Sequence, residues 1–145
     1  MKNYPSWIKA AVIAQLLTGV FHILGMITEM VPKNESERTL IEQMKNYKFD
    51  MGAGFIHSMD DILLAFSICF ALLLLFSAAI NFYLLKTCFE IKILKGIVAI
   101  NIIIYIICFV TMATLTFLPP IICTGLSTVF LTYAYYLMVN QIKFH

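Results

Sequence analysis

Residues 52–85 read GAGFIHSMDDILLAFSICFALLLLFSAAINFYLL. From Phe55 onwards this is an apolar run longer than the ~20 residues that carry an α-helix across a bilayer. Its entrance holds His57, Asp60 and Asp61 instead of a clean hydrophobic start. Ionisable groups at a membrane threshold are costly and have partners as a rule. The remainder of the chain is read here as the source of those partners.

The composition agrees with this starting point. Of 145 residues, 61% are hydrophobic and 12% charged, and mean hydropathy is +0.91. Soluble domains average ~45–50% apolar and ~25% charged. A chain this short leaves too much surface exposed to hide the excess inside, so lipid must solvate it, as one integral membrane domain over residues 1–145. The net charge of +2, without a basic block, excludes a nucleic-acid partner. The four cysteines, Cys69, Cys88, Cys108 and Cys123, form no Cys-x-x-Cys pair. They read as small packed hydrophobes, with no zinc site, disulfide framework or thiol-oxidising motif.

Four apolar runs follow in order, at about 7–31, 55–85, 96–118 and 121–139. The first is too long and too polar (Gln15, His22, Glu29) for a cleaved leader, so it reads as a retained helix. Tyr4 and Trp7 suit an interface. Asn34 as cap, with Glu35 and Glu37 after it, starts a short amphipathic helix outside the membrane, with Leu40, Ile41 and Met44 on one face. Residues 49–54 then turn into the membrane through two glycines. Pro119-Pro120 ends the third run. The expected fold is thus all-α: a four-transmembrane-helix antiparallel bundle. Both termini share a side with Lys2, Lys9, Lys86, Lys92, Lys95 and Lys143, which places them in the cytoplasm of a bacterial inner (plasma) membrane.

Chemistry is sought where the first two runs meet. In run one Gln15, Thr18, His22, Gly25 or Met26, and Glu29 make a polar stripe that must face the bundle interior. In run two His57 and Asp61 stand at i, i+4 on one helical face. Matching depths at ~1.5 Å per residue pairs Glu29 with His57. The same matching drops His22 below Asp61, near the level of Leu64, with Asp60 or Asp61 reaching towards it. The cluster His22, Glu29, His57, Asp60 and Asp61 has three readings: a structural polar plug, a lipid or small-ligand pocket open to the outer leaflet, or an ion site. No contiguous metal signature is present, so no metal is assigned. No cofactor is expected either. His22 and His57 differ in height by on the order of 10 Å, which is wrong for one bis-histidine haem. Asn101, Tyr105 and Cys108 on run three, and Thr124, Ser127 and Thr128 on run four, read as ordinary helix-packing groups.

At 44–52, Met-Lys-Asn-Tyr-Lys-Phe-Asp-Met-Gly, the chain resembles a family of small, uncharacterised bacterial four-helix integral membrane proteins. His22 and Gly25 on the first helix, and an acidic second helix, extend the likeness. That family enters its second helix with an aromatic-Trp-Asp pattern; here the stretch is His57-Ser-Met-Asp-Asp61. The resemblance implies the four-helix fold and brings no activity with it. A looser likeness, in residue type alone, exists to sterol-isomerase and sigma-type four-helix membrane folds.

The expected role is non-enzymatic: binding of membrane lipid or a small ligand at an outer-leaflet pocket, or service as an accessory subunit beside a partner membrane protein or a second copy of itself. The runner-up is an intramembrane isomerase-type enzyme in which Asp60, Asp61 or Glu29 moves protons. A small transporter comes third.

Overall fold

The computed structural model describes residues 3–28, 30–87 and 90–142. It is all-α apart from one short hairpin. Helices α1 (Tyr4–Ile27), α3 (Met59–Lys86), α4 (Ile91–Leu115) and α5 (Leu118–Ile142) are long and apolar enough to cross a membrane. Between α1 and α3 lie the short helix α2 (Glu35–Asn46) and two strands, β1 (Lys48–Asp50) and β2 (Ile56–Ser58).

Several helix limits differ from the expected ones, each for a local reason. Helix α3 begins at Met59, not Phe55, because residues 56–58 pair as a strand. Pro119 and Pro120 sit in the first turn of α5 and do not close the preceding helix. A proline there forfeits nothing, since the first N–H groups of a helix have no carbonyl to bond. Helix α4 ends earlier, at Leu115, where Thr116 turns extended and closes the last turn on the Met112 carbonyl through its N–H (3.0 Å) and hydroxyl (2.7 Å).

The chain divides into two compact units, residues 1–20 with 73–145, and residues 21–72. In the first, α4 and α5 pair antiparallel. Lys95, early in α4, stands over the Tyr135 ring late in α5, and Phe109, late in α4, lies against Gly125 early in α5. A Cβ on Gly125 would come within 3.2 Å of the Phe109 ring, the close approach that small residues allow between helices. Gly19 gives α1 the same proximity to Leu75 of α3. Trp7 packs on Phe130 and, edge-on, on Tyr133. The buried positions include small and polar side chains (Ala11, Gln15, Ala78, Asn81, Thr124, Ser127) beside Ile8, Val98, Leu131 and Met138, whereas Leu73, Phe76, Ile103, Ile107 and Val129 face outward. A water-soluble bundle would carry charged and polar residues on those outward faces.

In the second unit the expected short helix α2 is present. Asn34 accepts the Glu37 N–H at 2.8 Å, and the Glu37 carboxylate reaches back to the Lys33 N–H at 2.7 Å. Glu35 and Glu37 in the first turn and Lys45 in the last complement the helix dipole. The expected simple turn at 49–54 is a hairpin: Lys48 pairs with Ser58, Phe49 with His57 and Asp50 with Ile56. Its loop runs through three successive positive φ values, at Gly52, Ala53 and Gly54. The two glycines adopt that backbone without steric penalty. Asp50 accepts the Gly52 N–H at 2.8 Å and starts the reversal.

Candidate functional site

The residues expected to cluster at the entrance of the second long helix are placed as follows. His57 is exposed in β2, opposite Phe49. Because the helix starts two residues later, the i, i+4 relation to Asp61 is not a helical one. Asp60 is half-buried in the first turn of α3. Asp61, whose side chain is 50% exposed, forms a reciprocal cap with Ser58. The Asp61 N–H donates to Ser58 Oγ at 3.1 Å, while Ser58 N–H (2.9 Å) and Oγ–H (2.8 Å) both donate to Asp61 Oδ2. Lys48 Nζ lies 4.0 Å from the same oxygen, an exposed contact of small energetic weight. Ser58 itself is 3% exposed. The Ser-x-x-Asp spacing before an apolar run is the sequence signature of a capping box, and it marks Ser58.

His22 is half-buried, with Nε2 3.2 Å from the Ser67 carbonyl oxygen and its ring edge-on to Phe70. It meets α3 at Ser67 and Phe70, three residues beyond the expected level of Leu64. Glu29 lies outside the described residues, and with it the expected Glu29–His57 pair. Among the described residues no three His, Cys, Asp or Glu side chains come together in a way that could hold a metal ion.

Two other features carry more structure than this junction. The first is a shallow groove of about 390 Å³ in the second unit, lined by Leu40, Gln43, Met44, Tyr47, Phe49 and Met59. Five of its six walls are apolar or aromatic. Tyr47 and Phe49 meet edge to face at 4.8 Å, and Met59 is the first residue of α3. Lys45 and Lys48 alternate with the lining residues along the chain.

The second is a buried ring of uncharged polar side chains in the first unit. Asn101 Nδ2 donates to the Ile97 carbonyl at 3.0 Å, which turns its Oδ1 inward. That oxygen accepts from Ser77 Oγ at 2.9 Å and from Asn81 Nδ2 at 3.4 Å. Asn81 Nδ2 also donates to Gln15 Oε1 at 3.2 Å. The orientation of each amide is therefore handed on from one backbone carbonyl. Tyr105 neighbours both Ser77 and Gln15. Gln15 and Asn81 are 0% exposed and Tyr105 3%. Gln15 Nε2, Asn81 Oδ1 and the Tyr105 hydroxyl nevertheless have no hydrogen-bond partner, and each such group costs about 1–3 kcal/mol. Gln15 is legible in the sequence as a member of the polar stripe of the first run, and Tyr105 as a packing group. Their meeting depends on how α1, α3 and α4 approach one another, which no local pattern encodes.

No family model, no curated protein and no solved structure matches this chain.

Proposed function

We propose that the chain is a four-span integral membrane protein, an antiparallel bundle of the bacterial inner membrane, that binds a membrane phospholipid at the groove beside the start of α3. The termini are cytoplasmic in this reading, by their share of lysines, and α2 and the hairpin lie at the outer surface. Outward-facing Leu, Ile and Phe along helices of membrane-span length support the membrane assignment. The observation that carries the lipid assignment is the groove: its apolar wall accepts an acyl chain, and it adjoins the first turn of a helix of membrane-span length. Lys45 and Lys48 next to it suit an anionic headgroup. Its volume is within the ~300–1,000 Å³ usual for small-molecule sites. Asp61 serves as a helix cap in this reading and takes no part in proton transfer.

The test uses the full chain in nanodiscs containing phosphatidylglycerol with a diazirine on its acyl chain. Crosslinks mapped by mass spectrometry are expected to concentrate on residues 40–59 and to be lost in Met44→Asp. Crosslinks spread evenly over the outward faces of the long helices, and indifferent to Met44→Asp, would mean that the groove holds no lipid of its own.

A further inference from the structure

We propose, resting on the membrane reading above, that the tip of the β1–β2 hairpin inserts into the outer-leaflet interface of the bilayer. The pairing register decides which side chains share a face. Lys48 pairs with Ser58, Phe49 with His57 and Asp50 with Ile56. The Met51 N–H, bonded to the Phe55 carbonyl at 2.9 Å, carries the same register one step further. Paired residues of a sheet share a face, and successive residues alternate between faces. Phe49, Met51, Phe55 and His57 thus form one face, and Lys48, Asp50, Ile56 and Ser58 the other.

The second face ties the hairpin to its own helix. Ser58 is buried there, and Lys48 and Ser58 both reach the Asp61 carboxylate. The first face is turned outward at the tip, where Met51 and Phe55 are 55% and 62% exposed; Ile56, beside them, is 55% exposed. Residues 51–56, Met-Gly-Ala-Gly-Phe-Ile, contain no charged side chain. A contiguous apolar tip costs free energy in water and marks a surface that something covers.

The position of the tip identifies the cover. Strand β2 ends at Ser58 and α3 begins at Met59, with no residue between them. At ~3.4 Å per residue, Phe55 lies within about 10 Å of that helix start. Asp60 and Asp61 in the first turn hold the start in the headgroup layer, because charge is costly in hydrocarbon. The tip therefore reaches the acyl-chain boundary, and interfacial segments bury their apolar side there to a depth of ~5–10 Å. Lys45 and Lys48 precede the tip as cations for anionic headgroups, and the exposed Tyr47 suits the same layer. Insertion would hold Phe49, which also lines the groove, at the level where acyl chains begin.

The test is tryptophan fluorescence of the full chain in vesicles of phosphatidylglycerol and phosphatidylcholine, with bromine carried either high on the acyl chain or near its end. Phe55→Trp places a reporter at the tip, where the parent side chain is exposed. Trp7, the chain's one tryptophan, is kept, and the parent's emission is subtracted. Leu73→Trp, at an outward position near the middle of α3, reports on the span itself. The tip reporter is expected to emit at shorter wavelength than tryptophan in water, to lose more intensity to the high bromines than to the low ones, and to resist iodide. The same pattern is expected when Met44→Asp is added to spoil the groove. A tip reporter quenched by iodide and indifferent to bromine would overturn the proposal. So would one shielded from both, the behaviour of a tip covered by a second copy of the chain. Bromine quenching that disappears with Met44→Asp would also overturn it, by assigning the contact to the lipid of the groove. If Leu73→Trp is quenched by bromine while the tip is not, the insertion alone fails and the membrane reading stands; if neither is quenched, both fail.

Discussion

The contact between Gln15 and Asn81 makes a prediction in which the double variant is more stable than either single one. Asn81→Leu deletes the bonds to Gln15 (3.2 Å) and to Asn101 (3.4 Å). Interhelical hydrogen bonds between membrane helices average about 0.6 kcal/mol, so the two together contribute about 1 kcal/mol. A larger effect lies in what remains. Gln15, fully buried, is left with both ends of its amide unmatched, and the newly stranded oxygen costs about 1–3 kcal/mol. The substitution also removes the unmatched Asn81 Oδ1, which recovers a comparable amount. The net expectation for Asn81→Leu is therefore a loss of about 1 kcal/mol, and Gln15→Met, which leaves Asn81 Nδ2 its bond to Asn101 and removes the unmatched Gln15 Nε2, falls at or below that. Gln15→Met combined with Asn81→Leu removes the bond and its stranded ends together. Replacing both partners by apolar groups of similar shape is nearly neutral. The coupling between the two sites is therefore about 1–2 kcal/mol. The assay is reversible unfolding of the full chain in mixed micelles by SDS titration, followed by circular dichroism. A double variant whose loss equals the sum of the two single losses would refute the claim that these amides face one another.

Ser58→Ala, which removes the buried N-cap hydroxyl of α3, is expected to cost about 1 kcal/mol. Asp61→Asn keeps an oxygen for the Ser58 N–H, so it should leave hydrogen exchange at the start of α3 nearly unchanged; strong fraying in Asp61→Asn would show that the charge, and not the cap, matters there. Gly125→Ala would press a methyl to 3.2 Å from the Phe109 ring, and overpacking should outweigh the helix-propensity gain to give a net loss of about 1 kcal/mol. Gly19→Ala meets the flexible end of Leu75 at 3.3 Å and should be neutral or slightly stabilising in the same unfolding assay. Ala53 holds φ at 52°, so Ala53→Gly should relieve the loop by about 0.5–1 kcal/mol, seen as slower amide exchange at Met51 and Phe55.

The long helices were legible because an apolar run of span length has few alternative structures. The α2 cap was legible because Asn34 and Glu37 act within one turn of chain. A sequence is ambiguous where one residue type serves two purposes. Proline both closes and opens helices, and Pro119-Pro120 open α5. An aspartate three residues after a serine is a capping partner as readily as a ligand, and Asp61 accepts from both the Ser58 N–H and its hydroxyl. The glycines at 52 and 54 announced a reversal, but residues 48–50 and 56–58 are too short for strand periodicity to show. The Gln15–Asn81–Asn101–Ser77 ring was hidden for another reason. Each member is unremarkable on its own helix, and only packing brings the four together.

The uncharged character of that ring has an electrical consequence. In an energised membrane, one elementary charge moved through 100 mV is worth about 2.3 kcal/mol. Amide and hydroxyl side chains offer the field no net charge to move. In the membrane-spanning reading, a voltage across the bilayer therefore finds no charge to displace among Gln15, Ser77, Asn81 and Asn101.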